Sequence, residues 1–216
     1  GTVMSERLDS LEAQLRPRHT ALLVIDMQND FCAEGGFLQR ARAGTPAIAI
    51  QVEANVRVAD RIAILADRMR AAGGRVIWIR SHYDFKYLKP AHIAKRNGIE
   101  GLCLEGSWGA DFFRIRPAEG EMVLDKTTFG AFHETTLHAR LQEMGIQTLV
   151  LAGVATNVCI DSTMREGFFL GYYIVVPEDC VGSGNQVGHE GTLSSVRVNF
   201  GAVLPSDDSA RVLAAA

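Results

Sequence analysis

The chain has 216 residues, 47% of them hydrophobic and 22% charged, with a formal net charge of −3. That length fits one domain with a substantial core. The mixed, nearly balanced charge leaves no electrostatic footprint for DNA, RNA or an anionic membrane, and no apolar run approaches the roughly 20 residues that span a bilayer.

Residues 1–19 read as an N-terminal arm, with Gly1-Thr2-Val3 ahead of Met4 a remnant of an expression tag and 4–19 a polar arm or short helix. Residues 20–26 are short, continuous and apolar, which predicts a buried strand. Asn29-Asp30 and Gly35-Gly36 mark a loop. Ile48, Val52, Val56, Ala59, Ile62, Leu65 and Met69 recur at a spacing of three to four, predicting a helix over 46–72 that stops at Gly73-Gly74. A second strand is predicted over 75–79. Residues 81–107 are irregular. A segment that long inside one domain reads as a lid or specificity segment, or as a solvated excursion with a short helix.

Alternation then resumes, with strands over 121–125, 148–153, 172–176 and 201–204 and helices over 133–144, 157–170 and 186–198. Strands alternating with helices predict an α/β fold with a mainly parallel sheet flanked by helices, and residues 20–216 read as one domain. Cys32, Cys103, Cys159 and Cys180 form no C-x-x-C pair, so structural zinc is not expected. No secretory signal is visible, and reduced thiols in a cytoplasm are the expectation.

Three polar residues stand at the C-terminal edges of apolar runs. Asp26 closes Ala21-Leu22-Leu23-Val24-Ile25, Lys126 closes Met122-Val123-Leu124-Asp125, and Cys159 follows Leu149-Val150-Leu151-Ala152-Gly153-Val154 at the start of a helix. In an open parallel sheet those edges face one crevice. An acid, a cation and a thiol meeting there can activate a thiolate for acyl hydrolysis. A helix N-terminus is expected to lower the thiol pKa and to offer N–H groups to an oxyanion. Taken singly, each has a plainer reading: a structural cysteine, a capping aspartate, a solvated lysine. The histidines lack metal-ligand spacing.

With these residues on the page, the chain resembles the isochorismatase-like cysteine hydrolases. The matching motifs are Leu23-Val24-Ile25-Asp26-Met27-Gln28-Asn29-Asp30-Phe31, Lys126-Thr127-Thr128-Phe129-Gly130-Ala131-Phe132 and Gly153-Val154-Ala155-Thr156-Asn157-Val158-Cys159. Within that family, Ala155–Cys159 and Arg165-Glu166-Gly167-Phe168-Phe169-Leu170 are similar to the ureidoacrylate amidohydrolases, and Gly106-Ser107-Trp108 adds to the likeness. The resemblance implies a three-layer, Rossmann-like fold with a six-stranded sheet and a cis peptide between Val154 and Ala155. It implies an Asp26-Lys126-Cys159 triad, an oxyanion hole from the N–H groups of Ala155 and Cys159, and homodimers or homotetramers.

Phe31, Ser81, His82, Tyr83, Trp108, Phe129 and Thr156 are the expected substrate contacts. Ser81-His82-Tyr83-Asp84 departs from the Asp-Trp-His metal pattern of nicotinamidases, so neither metal nor cofactor is expected. The expected reaction is cysteine-dependent cleavage of a linear C–N bond in a small ureido, carbamoyl or amide compound through a thioester. Alternatives are hydrolysis of biuret, N-carbamoylsarcosine or maleamate, or a non-catalytic small-molecule binding module.

Overall fold

A computed structural model describes residues 6–216. The tag-remnant reading of residues 1–3 lies outside them. The strands are β1 (Thr20–Ile25), β2 (Arg75–Ser81), β3 (Val123–Lys126), β4 (Thr148–Val154), β5 (Tyr173–Pro177), β6 (Val181–Gly182) and β7 (Gly201–Leu204). The helices are α1 (Leu11–Gln14), α2 (Asn29–Cys32), α3 (Phe37–Arg42), α4 (Val52–Ala71), α5 (Pro90–Lys95), α6 (Leu137–Glu143), α7 (Asp161–Phe169), α8 (Gln186–Ser195) and α9 (Ser206–Ala214).

The sheet runs β3-β2-β1-β4-β5-β7, every pairing parallel, with the two-residue β6 beside the end of β4. Central strands are covered on both faces, which is why β1 and β4 are fully buried and apolar after their first residues, Thr20 and Thr148. Alternate residues still part to opposite sides. Leu22 and Val24 join the core under α4 and α9, with Ile62, Leu65 and Leu213. Ala21, Leu23 and Ile25 join the core under α6, α7 and α8, with Leu141, Met164 and Leu193. The three layers follow from that split. Leu15, just past α1, is fully buried in the first core, so residues around α1 pack directly on the sheet's helical layer.

Several predicted bounds shift. The long helix starts at Val52 rather than at 46, and Ile48 instead faces a cavity. The helix of 133–144 begins at Leu137, because the Thr135 hydroxyl donates to the carbonyls of Ala131 and Phe132 in a preceding turn. The helix from 157 opens as a wide π-helical turn over Thr156–Ile160, and the one from 186 closes with another over Val196–Phe200. β6 and α9 were not anticipated.

Residues 81–107 hold α5 and a small core of their own. Tyr83, Leu88, Leu102, Cys103 and Ala110 are buried together, against Phe31 and Phe37. The buried Asp30 carboxylate ties this segment down, accepting from Phe37 N at 2.9 Å and from Cys103 N at 2.8 Å.

Candidate active site

The strand order reverses between β1 and β4, where parallel α/β sheets open a crevice at their C-terminal edge. Asp26 and Cys159 leave these two strands on either side of it, and Lys126 reaches in from β3. Two backbone features shape the edge. Asp26 sits at φ 57°, a left-handed conformation that turns the chain sharply as β1 ends. Gly153 sits at φ 119°, and any Cβ there would collide with the Ile25 carbonyl, so only glycine lets β4 approach β1 so closely. The Val154–Ala155 peptide that follows is cis.

The Lys126 ammonium is the hub. It donates to Asp26 Oδ2 at 3.1 Å, Ser81 Oγ at 2.9 Å, the Thr128 carbonyl at 2.8 Å and Cys159 Sγ at 3.4 Å. Ser81 Oγ in turn donates to Asp26 Oδ1 at 2.9 Å. The Tyr83 hydroxyl lies 3.5 Å from the ammonium and 3.9 Å from the sulfur. All of these side chains are buried. A charge removed from water needs a close partner and satisfied hydrogen bonds, and here the two ions supply both for each other.

Burial pulls the Lys126 pKa down, but the charge of Asp26 and the thiolate form of Cys159 outweigh it, so the group stays firmly protonated. The thiol behaves differently from the expectation of a lowered pKa. Burial first, and then the Asp26 charge, push Cys159 up to about 12, and Lys126 offsets only part of that. Burial and the Asp26 carboxylate thus disfavour the thiolate, and the Lys126 ammonium favours it. Burial likewise raises the Tyr83 phenol well above its ordinary value.

Cys159 opens into a cavity of about 340 Å³, shared with Phe31, Tyr83, Phe129, Ala155 and Asn157. Ligand cavities run from roughly 300 to 1,000 Å³, so this one suits a small molecule. Among the expected substrate contacts, Phe31, Tyr83 and Phe129 line it. Four others do not. Ser81 is wholly buried behind the Asp26–Lys126 pair, which it bridges. His82 points to the opposite face of β2, its Nε2 lying 3.3 Å from Asp125 Oδ2. Thr156 turns away, its hydroxyl 2.7 Å from His189 Nδ1. Trp108 is more than half exposed and lies off the cavity.

His82, Asp84 and Glu105 each bring one potential metal-ligand atom within 4.8 Å of the others. None of the three lines the cavity with the thiol.

Some site residues went unassigned in the sequence. Gln28 is fully buried. Its amide accepts from Ser81 N at 2.9 Å and donates to the carbonyls of Ser81 and Ala110, both at 3.0 Å. It holds the edge of β2 against the loop at 110, just below Ser81. Its signals were its place in the first matching motif and the run of amides and acids directly after a buried strand. Arg42 and Arg96, which also line the cavity, lie in irregular stretches and carried no signal.

The isochorismatase domain family model matches residues 20–208. Ureidoacrylate amidohydrolase RutB of Pantoea ananatis is 34% identical over 86% of this chain and 78% of its own length. An isochorismatase family protein from Desulfovibrio vulgaris is 30% identical, superposes with a TM-score of 0.74, and covers 91% of this chain and 99% of its own. A cysteine hydrolase from Pseudomonas syringae superposes more fully, with a TM-score of 0.81 over 98% of this chain and 99% of its own, but at 21% identity it speaks only to the fold. With the family model spanning every strand of the sheet and the Asp26, Lys126 and Cys159 edge it carries, the chain belongs to the isochorismatase domain family.

Proposed function

We propose that this protein is a cysteine-dependent amidohydrolase that cleaves a linear C–N bond in a small ureido, carbamoyl or amide compound, ureidoacrylate-like in type. One observation carries the reading: a single buried ammonium contacts both the carboxylate of Asp26 and the sulfur of Cys159, which lines a small cavity. The amide-cleaving activity named for the RutB relative supports it.

In the proposed reaction the Cys159 thiol gives its proton to Asp26 as the sulfur attacks the carbonyl. The N–H groups of Ala155 and Cys159 hold the resulting oxyanion. Collapse of the tetrahedral intermediate breaks the C–N bond, and the leaving nitrogen takes the proton back from Asp26. An acylated Cys159 remains, a thioester, which is a carbamoyl thioester when the substrate is a ureide. Water, deprotonated by Asp26, then adds to the thioester carbonyl, the C–S bond breaks to release the acid or carbamate, and Asp26 returns the proton to the Cys159 sulfur. Lys126 pairs with Asp26 and stabilises the sulfur as it becomes anionic. Ser81 fixes the carboxylate, and Phe31, Tyr83 and Phe129 enclose the substrate.

We also take the protein to be cytoplasmic and to assemble as a homodimer or homotetramer. Phe168, Phe169, Leu170 and Val198 are exposed large apolar side chains, which supports self-association. Among the described residues, no helix is long and apolar enough to cross a membrane.

The test is ammonia release across a panel of ureido acids and small primary amides, with mass detection of a Cys159 adduct during turnover. Release without an adduct, and unchanged in Cys159→Ser, would refute the cysteine mechanism.

A further inference from the structure

The cavity that holds Cys159 has a second wall, and its chemistry differs from that of the sheet edge. Arg42, at the end of α3, and Lys95 and Arg96, at the end of α5, line it. Both arginines are partly buried. Neither makes an ion pair among the described residues. No aspartate or glutamate lines the cavity. Asp26, the nearest acid at the triad, is already held by Lys126.

A larger adjoining hollow of about 760 Å³ shares Arg42, Lys95 and Arg96, adds Arg40, and again has no acidic lining residue. Both hollows thus hold cations and no acidic lining residue, in a chain whose net charge is −3.

Partly desolvated guanidiniums are poorly placed without an anion. Burial lowers the pKa of Arg42, and the like charge of Arg96 lowers it further. Their placement is nevertheless fixed. The Arg96 guanidinium stacks over the Phe37 ring at 5.3 Å, and Phe37 N is pinned to the buried Asp30 carboxylate, which also anchors Cys103 on the far side of α5. One buried acid therefore holds both arginine-bearing segments in place.

We infer that Arg42 and Arg96 form the anion subsite that holds the carboxylate of a ureidoacrylate-type substrate. The carboxylate sits on the guanidiniums while the scissile carbonyl meets Cys159. The proposal rests on the reading of Cys159 as the nucleophile acting on such a substrate, and it adds the residues that select the substrate's charge. A guanidinium fork matches a carboxylate in plane and can bind it through two parallel hydrogen bonds. The small cavity limits the spacer between carboxylate and amide to a few bonds. A neutral amide leaves both cations unpaired and binds weakly. The basic rim also raises the local concentration of an anionic substrate, an effect that salt screens.

The experiment uses two probes, 3-ureidoacrylate and its methyl ester, which differ in the negative charge. Ammonia release is measured with the wild type, Arg42→Gln and Arg96→Gln, and binding is measured calorimetrically with Cys159→Ser alone and combined with each arginine change. The wild type is expected to favour the acid over the ester in kcat/KM by about 10- to 100-fold. That ratio should collapse toward unity in either arginine variant, through KM, and should fall with salt in the wild type. A ratio unchanged by both substitutions, or a wild type that prefers the ester, overturns the subsite. If neither probe turns over but Cys159→Ser binds the acid more tightly than the ester, and loses that preference with Arg42→Gln, the subsite stands and the hydrolase reading falls. Absence of any preference in binding overturns the subsite whatever the turnover.

Discussion

The two walls of the cavity handle charge in opposite ways. On the sheet edge, Asp26 and Lys126 are fully buried, 3.1 Å apart, and each is hydrogen-bonded to Ser81. On the facing wall, Arg42 and Arg96 are partly exposed and have no counterion among the described residues. The paired wall stands on strand ends, whose positions are fixed by the whole sheet. The unpaired wall stands on two short helices held by one buried acid. The difference suits the proposed division, with reaction at the rigid edge and selection at the wall that can vary, since connecting segments carry binding on a fixed scaffold.

The sharpest way to break the paired wall is to remove its sulfur. Cys159→Ser should keep the fold and lose turnover by at least about a thousandfold, because a neutral hydroxyl is a far weaker nucleophile than a thiolate. Ammonia release with circular dichroism checks both halves. Near-normal activity would remove Cys159 from the chemistry.

Lys126→Met attacks the pair from its other side. It leaves the Asp26 carboxylate buried without a cation, and breaking a buried ion pair costs about 3–5 kcal/mol. Urea denaturation should show a loss of that size, and Asp26→Asn combined with Lys126→Met should recover part of it. A loss below about 1 kcal/mol, the range of an exposed pair, would mean the two charges are solvated.

Asp26→Asn probes the thiol directly. The Asp26 charge raises the Cys159 pKa and Lys126 lowers it, with the wild-type group near 12. Removing the negative charge while keeping the ammonium should lower the midpoint of iodoacetamide alkylation by about one to three pH units. The thiolate fraction at neutral pH then rises even though the proton acceptor for turnover is gone. An upward shift would reverse the assigned roles of the two charges.

Much of the edge was legible because its logic is local. A polar residue closing a buried apolar run marks a strand's C-terminal end, and in a parallel sheet all such ends face the same way. Asp26, Lys126 and Cys159 could therefore be placed together from three separate runs. The direction of the thiol's pKa was not legible. A helix start favours a thiolate, but complete burial beside Asp26 dominates, and burial depends on the segments that close over the site. Residues 81–83 show a signal that was present and unused. Ser81, the last residue of β2, and Tyr83 both contact Lys126, while His82 between them reaches Asp125. Arg42 and Arg96 had no comparable pattern, since the short helices that carry them meet through contacts distant in sequence, among them those of Asp30 with Phe37 and Cys103.

His82 leads to the smallest expected effect. Its ring, with Asp84 and Glu105, forms the one group of potential metal-ligand atoms found among the described residues. The Asp125 carboxylate beside His82 Nε2 resembles the way acids orient metal-binding imidazoles. Position decides against a catalytic part for this group. It belongs to the outward face of β2 and the loops beyond it, whereas the thiol, its carboxylate and its ammonium belong to the inward face, where Lys126 already supplies the positive charge that an electrophilic metal would bring. Asp84 and Glu105 are also engaged with each other through the Glu105 N–H, which donates to Asp84 Oδ1 at 3.1 Å. Overnight treatment with a strong chelator should therefore leave ammonia release unchanged within error. A large loss restored by zinc or manganese, and absent in His82→Ala, would move the chemistry of this protein from the paired wall to the opposite side of the strand.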